Sequence, residues 1–343
     1  MINRRTFIKA GIATGAGLIT SDFALAKSFK EAENSGKRIG IIGLDTSHST
    51  AFTNLLNSTE TDEFKNYKIV AAYPYGSRTI ESSSNRIPGY IEEVKKKNVE
   101  IVDSIQDLLK KTDVILLETN DGRLHLEQSI PVFKAGKRVF IDKPISASLV
   151  DAISIFEAAK EMKTPFFSAS SLRYMSNIEK ILKEDAVGKV LGTDVYSPCT
   201  LEATHPDLYW YGIHGVEPLF TVMGTGCKTV QRIFSPDFDF VTGIWADSRI
   251  GSFRGIRKGK SGYGGYVFGE KNIMPLGDYN GYMPLLKEII SFFETGVVPF
   301  DPQETLEIFT FMETAEESKK RNGAPVGMDE VFEAAKSKVK KIW

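Results

Sequence analysis

Three short stretches of this chain carry residue types that could do chemistry together. The first is Val139-Phe140-Ile141-Asp142-Lys143-Pro144, an apolar run that ends in an acid, a lysine and a proline. If the run is a strand, Lys143 stands at its carboxyl edge, where ligands sit in open α/β sheets. Pro144 favours an extended residue before it and so keeps Lys143 off the following helix. The second stretch is Tyr211-Gly212-Ile213-His214-Gly215-Val216-Glu217. An imidazole titrates near neutral pH and can take a hydroxyl proton, while a nearby ammonium can stabilise the alkoxide that develops. The alternative for His214 is a helix-start residue packed under aromatic neighbours. Glu217, one helical turn on, could orient the imidazole or serve as a first-turn acid that complements the helix dipole.

The third stretch, Gly43-Leu44-Asp45-Thr46-Ser47-His48, follows a short apolar run. A dinucleotide turn has the form G-x-G-x-x-G, so that backbone amides and a helix N-terminus can meet pyrophosphate. Here the first glycine is present, while Asp45 and His48 occupy the other two positions. A carboxylate at the second position is expected to repel pyrophosphate, unless Asp45 or Ser47 instead caps a helix starting near Ser49. After the second apolar run the chain reads Tyr73-Pro74-Tyr75-Gly76-Ser77-Arg78, without the acid that holds an adenosine ribose in NAD-preferring folds. Ser77 and Arg78 could meet a 2′-phosphate, or be solvated loop residues. His48, His125, Asp45 and Asp121 fall at strand edges and offer oxygen and imidazole donors. Their spacing matches no recognised ligand pattern, and no metal site is expected. His205-Pro206-Asp207-Leu208-Tyr209-Trp210-Tyr211 supplies three aromatics that could stack on a sugar or simply fill a core. Arg249, Arg254 and Arg257 lie on a candidate strand and by default are solvated or interfacial.

The elements that must position these residues follow from the apolar pattern. Short runs at 38–43, 69–73, 99–102, 114–117, 138–141 and 166–169 lack polar alternation, as strands covered on both faces do. Helical stretches such as 91–97, 124–135 and 149–160 lie between them, and Ala135-Gly136-Lys137 carries the glycine stop of a helix end. This alternation predicts a doubly wound, parallel-sheet α/β domain over 37–170. After Ser170 the rhythm changes to a helix near 177–183, a strand near 190–196, a helix near 216–223 and strands near 229–234, 241–246, 250–256 and 263–268. Consecutive strands predict an α+β domain over 171–343 with a mainly antiparallel open sheet. Helices at 283–295 and 302–321, and one ending at Trp343, complete it.

Composition narrows the class further. Lys plus Arg number 43 and Asp plus Glu 44, a formal net charge of −1, which excludes the footprint of a dedicated nucleic-acid binder. Two cysteines, Cys199 and Cys227, cannot build a disulfide framework. No apolar run reaches the roughly 18 residues needed to span a bilayer, so no integral membrane span is expected. Residues 1–26 do not read as fold. Asn3-Arg4-Arg5-Thr6-Phe7-Ile8-Lys9, a weakly apolar stretch and Ala24-Leu25-Ala26 have the form of a twin-arginine export signal, which predicts a periplasmic or otherwise exported protein. Cleavage there would leave a chain still near neutral.

At Ala135-Gly136-Lys137 followed by Asp142-Lys143-Pro144, the sequence resembles the Gfo/Idh/MocA oxidoreductase family, whose members carry Glu-Lys-Pro after the fifth strand. Ala158-Ala159-Lys160, Phe292-Phe293-Glu294-Thr295-Gly296 and Gly323-Ala324-Pro325-Val326 extend the resemblance along the chain. It implies a nucleotide-binding domain joined to an open-sheet domain, NAD or NADP as cofactor, a sugar or polyol substrate and a homo-oligomer built on the second sheet. It also implies catalytic roles for Lys143 and His214. Candidate cofactor contacts are Gly43, Asp45, Thr46, Ser47, His48, Ser77, Arg78, Asn120, Asp142, Lys143 and Pro144. Candidate substrate contacts are Arg173, Tyr211, His214 and Glu217. Outside the cytoplasm no free pool recycles the cofactor, so a tightly held nucleotide regenerated within one cycle is expected. A non-redox sugar-binding or scaffold protein on the same fold is the alternative.

Overall fold

Arg38–Ile42 forms β1, whose buried Ile39, Ile41 and Ile42 place it at the centre of a sheet. The computed structural model describes residues 37–58, 63–64 and 66–343; the export signal read at residues 1–26 lies outside the described residues. β2 (Lys68–Tyr73), β3 (Glu100–Ile101), β4 (Val114–Leu117), β5 (Val139–Ile141) and β6 (Phe166–Phe167) join β1 in a six-stranded sheet of order β3-β2-β1-β4-β5-β6. Every described pairing in it is parallel, with Ile42 opposite Tyr73 on one side and Leu117 on the other. Strand order reverses between β1 and β4, so the crevice beyond their carboxyl ends is where a ligand is expected.

Helices connect these strands: α1 (Ser47–Leu56), α2 (Glu81–Ser84), α3 (Ile87–Lys95), α4 (Ile105–Lys111), α5 (His125–Lys134) and α6 (Leu149–Glu161). The apolar period predicts the third of these at 91–97; it begins earlier, at Ile87, with Pro88 in its first turn, where a missing N–H costs nothing. α1, α4 and α6 are each opened by a hydroxyl cap, from Thr46, Ser104 and Ser148.

The second sheet holds β7 (Val190–Pro198), β8 (Cys227–Phe234), β9 (Phe238–Trp245), β10 (Ile250–Ile256), β11 (Gly264–Gly269), β12 (Ile273–Pro275) and β13 (Val326–Gly327), in the order β12-β11-β7-β10-β9-β8-β13. It is open and mostly antiparallel as expected; β10 and β7 alone of its described pairs run parallel. β12 and β13 escape the sequence reading because two or three residues show no period. One face packs under α9 (Ile213–Met223) and α11 (Pro302–Lys320), with α7 (Ile178–Lys183) and α8 (Asp207–Trp210) at its end. α12 (Met328–Lys336) stops short of the expected Trp343.

The boundary at residue 170 separates the two sheets but not the two cores. α10 (Met283–Thr295) buries Leu285, Leu286, Ile289, Phe292 and Phe293 in the same cluster as Ile39, Ile41 and Phe52 of the first domain. A C-terminal helix thus closes over the N-terminal sheet and carries its flanking loop to the rim of the crevice.

Candidate active site

Gly43 ends β1 with φ +90°, a conformation that side chains rarely adopt, and a Cβ there would lie 2.5–2.6 Å from Thr119. Glycine therefore lets the turn after β1 sit directly against the turn after β4. α1 then starts at Ser47, and its cap is Thr46, whose Oγ1 accepts from His48 N at 3.0 Å. The cap is neither Asp45 nor Ser47, the two residues weighed from the sequence. Asp45 does something else. It is fully buried, and its two oxygens accept Ser77 N at 2.8 Å and Asn120 N at 2.9 Å, bracing the turns after β1, β2 and β4. Burial pushes its carboxyl up to about 6 despite those two amides.

Beyond this brace lies a cavity of about 280 Å³. Thr46, Ser47 and His48 line it at the helix N-terminus, Asn120 from the turn after β4, and Lys143 after β5. The second domain contributes Trp210, Tyr211 and His214, and the loops before α10 add Tyr263, Tyr279 and Tyr282. Lys143 and His214 thus share one cavity, from different domains. The Lys143–Pro144 peptide is cis. Pro144 itself is buried behind the lysine.

His214 is held by Ser170, whose Oγ lies 2.8 Å from its Nδ1, and by the ring of Tyr211 at 5.1 Å. Burial, then the positive charges of Lys143 and His48, keep its pKa well below the ordinary histidine value, so the imidazole is neutral. Glu217 does not touch it. Its carboxylate accepts Ser170 N at 2.7 Å and Arg173 Nε at 2.9 Å, so it positions the serine that positions the histidine. Burial raises Glu217 to about 7 against the pull of Arg173.

Other expected contacts lie elsewhere. Arg173 is buried between Glu217 and Glu304 (2.6 Å), stacked on Phe300, and lines a separate cavity on the far side of the loop. Ser77 is buried, its N–H given to Asp45 and its Oγ accepting from Ile80 N, so it presents no hydroxyl to a 2′-phosphate; Arg78 is exposed. Asp142 is buried behind Lys143, accepting Lys143 N at 2.7 Å. The four donors considered for a cation do not converge. Asp45 braces loops, Asp121 pairs with Arg123 at 2.6 Å, and His125 lies between the carbonyls of Ile145 and Thr119. Of the aromatic segment, Tyr209 is core, bonded to Glu313, while Trp210 and Tyr211 reach the cavity. Arg249 and Arg257 pair with Asp247 and Asp239, and Arg254 covers Phe240.

Ser170, Tyr263, Tyr279, Tyr282 and Arg86 were not read from the sequence. The three tyrosines sit in loops without period, and only their return over the cleft with α10 reveals them. Arg86 enters from the turn between α2 and α3 and, with Lys143, gives the cavity two cationic side chains near the N-terminus of α1.

A nicotinamide dinucleotide fits these residues. The α1 N-terminus and the Arg86 guanidinium suit a pyrophosphate. Asp45, expected to repel it, is turned away into backbone amides and does not line the cavity. The Asp45 carboxylate therefore occupies the junction of the loops and not the phosphate path.

Comparison with known proteins agrees with this geometry. Residues 15–170 match the family described as oxidoreductase family, NAD-binding Rossmann fold. An 85-residue segment is 29% identical to 2,7-anhydro-N-acetylneuraminate hydratase of Escherichia coli (strain K12), spanning 24% of this chain and only 23% of that protein. Scyllo-inositol dehydrogenase from Lactobacillus casei, solved with NAD(H) and scyllo-inositol, superposes with a TM-score of 0.68 at 15% identity, covering 85% of this chain and 99% of that one. GenD2 from gentamicin A biosynthesis, in complex with NAD, gives 0.68 at 14%, covering 87% and 99%. Myo-inositol 2-dehydrogenase from Lactobacillus plantarum gives 0.68 at 15%, covering 84% and 98%. At such identities the structures establish a shared fold across both domains. Residues 15–170 thus match the model of the Gfo/Idh/MocA oxidoreductase family, and the chain as a whole shares the fold of the inositol dehydrogenases.

Proposed function

We propose that this protein oxidises or reduces a hydroxyl-bearing carbon of a sugar or sugar derivative, using a tightly held NAD or NADP. The observation that carries the reading is the common cavity of Lys143 and His214. Thr46, Ser47, Asn120 and Arg86 would hold the nucleotide's phosphates and ribose, and the nicotinamide when bound supplies the hydride acceptor or donor. The neutral His214 takes the hydroxyl proton, with its Nδ1–H given to Ser170 and the opposite ring nitrogen left as acceptor. Lys143 stabilises the developing alkoxide. On the second-domain side of the cavity, Trp210 and Tyr211 offer a sugar ring faces to stack on. The NAD(H)-bound inositol dehydrogenase and the sialic-acid-related hydratase among the similar proteins support a polyhydroxylated substrate.

Two further expectations belong to this reading. The outer face of the second sheet exposes Ile244 opposite Ile250, with Ile233 and Tyr266 nearby on that sheet, an apolar surface that supports a homo-oligomer. The twin-arginine leader supports export of a folded, cofactor-loaded protein, and among the described residues no helix is long and apolar enough to cross a membrane.

The test is reduction of the protein-bound nucleotide by a panel of sugars, sugar acids and inositols, followed by absorbance. Lys143→Ala and His214→Ala are expected to retain nucleotide and lose turnover by about 10²–10⁴-fold. Unchanged turnover in both variants would overturn the assignment.

A further inference from the structure

We infer that His48, Glu118 and Asp142 form a binding site for one divalent transition-metal cation of the zinc or manganese type, set beside the catalytic cleft. The three side chains come from different elements: His48 from the first turn of α1, Glu118 from the end of β4 and Asp142 from the end of β5. His48 Nδ1 lies 3.0 Å from Asp142 Oδ1 and 3.7 Å from Glu118 Oε2, and one donor atom from each residue fits within 4.8 Å of the others. Ligands at 2.0–2.2 Å around a tetrahedral ion stand about 3.4 Å apart, which lies between the two measured separations. The donor set is one imidazole and two carboxylates, which suits zinc or manganese; calcium would want six or more oxygens.

A second observation points to an occupant. Glu118 is fully buried and neither carboxylate oxygen has an aligned hydrogen-bond donor; Asp142 Oδ2 is likewise without one, and His48 Nδ1 meets Asp142 Oδ1 only as a misaligned contact. Buried carboxylate oxygens without donors are costly, and they are rare unless something absent from the protein itself satisfies them. Lys143 is close enough for its charge to act on both acids, yet among the described hydrogen bonds it gives them only the backbone N–H accepted by Asp142. A neutral imidazole ligand, two carboxylates and a dication balance to zero charge in this closed space. The ring of His48 is already fixed between Phe52 (5.5 Å) and Tyr282 (4.6 Å), so Nδ1 needs no reorientation to bind. The position also accounts for a histidine where dinucleotide turns carry their third glycine. His48 also lines the cavity, so the ion site adjoins the cleft.

The site is tested on tag-free full-length protein stripped with EDTA, titrated with Zn²⁺ or Mn²⁺ alone by calorimetry, with metal content by mass spectrometry. Expected are one cation per chain, a thermal midpoint that rises with metal concentration, and at least ~100-fold weaker binding in Glu118→Gln and His48→Ala. Co²⁺ should give visible bands of a low-coordinate ion in wild type. His214→Ala should bind metal normally, which separates this site from the proton-transfer residue. Absence of stoichiometric binding at 1 mM metal, or binding that survives both Glu118→Gln and His48→Ala, would overturn the inference. Neither outcome bears on whether nucleotide is bound, so the two readings fail separately.

Discussion

Replacing Asp45 by Asn isolates the oddest feature of the nucleotide turn. Asp45 is buried, and its carboxyl is raised from 3.8 to about 6, because burial outweighs the two amides that favour its charge. At 1.36 kcal/mol per pH unit, this corresponds to about 3 kcal/mol. A carboxyl with a raised folded-state pKa contributes stability that is fully present below the unfolded value, near 3.8, and lost as pH rises through about 6. The replacement amide does not titrate. It keeps one acceptor oxygen for Ser77 N or Asn120 N and sets an NH₂ against the other, a deficit of about 1–3 kcal/mol relative to the protonated acid that wild type holds at pH 4. The variant should therefore be clearly less stable than wild type at pH 4. Its deficit should shrink by about 2–3 kcal/mol by pH 7, where the two chains approach each other. Urea unfolding of both proteins at half-unit steps from pH 4 to 7, with slopes compared, reads this difference directly. Taking the difference removes the contributions of Glu118, Glu217 and the histidines, which titrate in both proteins. A deficit constant across that range would refute the buried-brace reading of Asp45 and return its carboxylate to the solvent-facing phosphate path.

Three more outcomes follow from single contacts. Gly43→Ala puts a methyl against Thr119 at φ +90° and should destabilise the fold by about 2–4 kcal/mol in urea unfolding; an unchanged midpoint would contradict the close approach of the two turns. Arg232 is buried among Asp207 (2.7 Å), Asp239 (2.8 Å) and Glu316 (2.7 Å), so Arg232→Ala strands acids in the second core. Because Arg257 and Lys319 still reach two of them, the loss should be about 3 kcal/mol, at the low end for a broken buried pair, read as a fall in urea midpoint. Ser170→Ala removes the 2.8 Å hydrogen bond to His214, about 1 kcal/mol, along with the cap that Leu172 N gives the same hydroxyl, and should lower kcat roughly five-fold with little change in KM, with Ser170→Thr restoring part of it.

The elements that carry chemistry were legible where sequence period and ligand position coincide. Strands β1, β4 and β5 read as buried apolar runs, and the position of Lys143 follows from where such a run stops. His214 was singled out as an imidazole near a helix start and by the role that the family resemblance implies. What could not be read were groupings made by tertiary return. Glu118 and Asp142 are 24 residues apart, and only the parallel pairing of β4 with β5 brings them to His48. Asp45 was misjudged because the direction of one side chain is set by two loop amides, at Ser77 and Asn120, that no periodicity marks. Glu217 was weighed as orienting His214 directly or as a helix-start acid, yet Ser170 stands between them, since the segment after β6 lies against α9 by a long-range contact. α10 illustrates the same limit at the scale of domains, its apolar stripe being plain in sequence while the core it joins was not.

What is bound beside Lys143 decides whether this chain works through a nicotinamide nucleotide. Protein purified from the cells that make it, desalted, denatured and examined by mass spectrometry should release NAD or NADP at close to one per chain. Release of no nucleotide, from protein that also fails to take up NAD(H) or NADP(H) at millimolar concentration, would contradict nucleotide dependence.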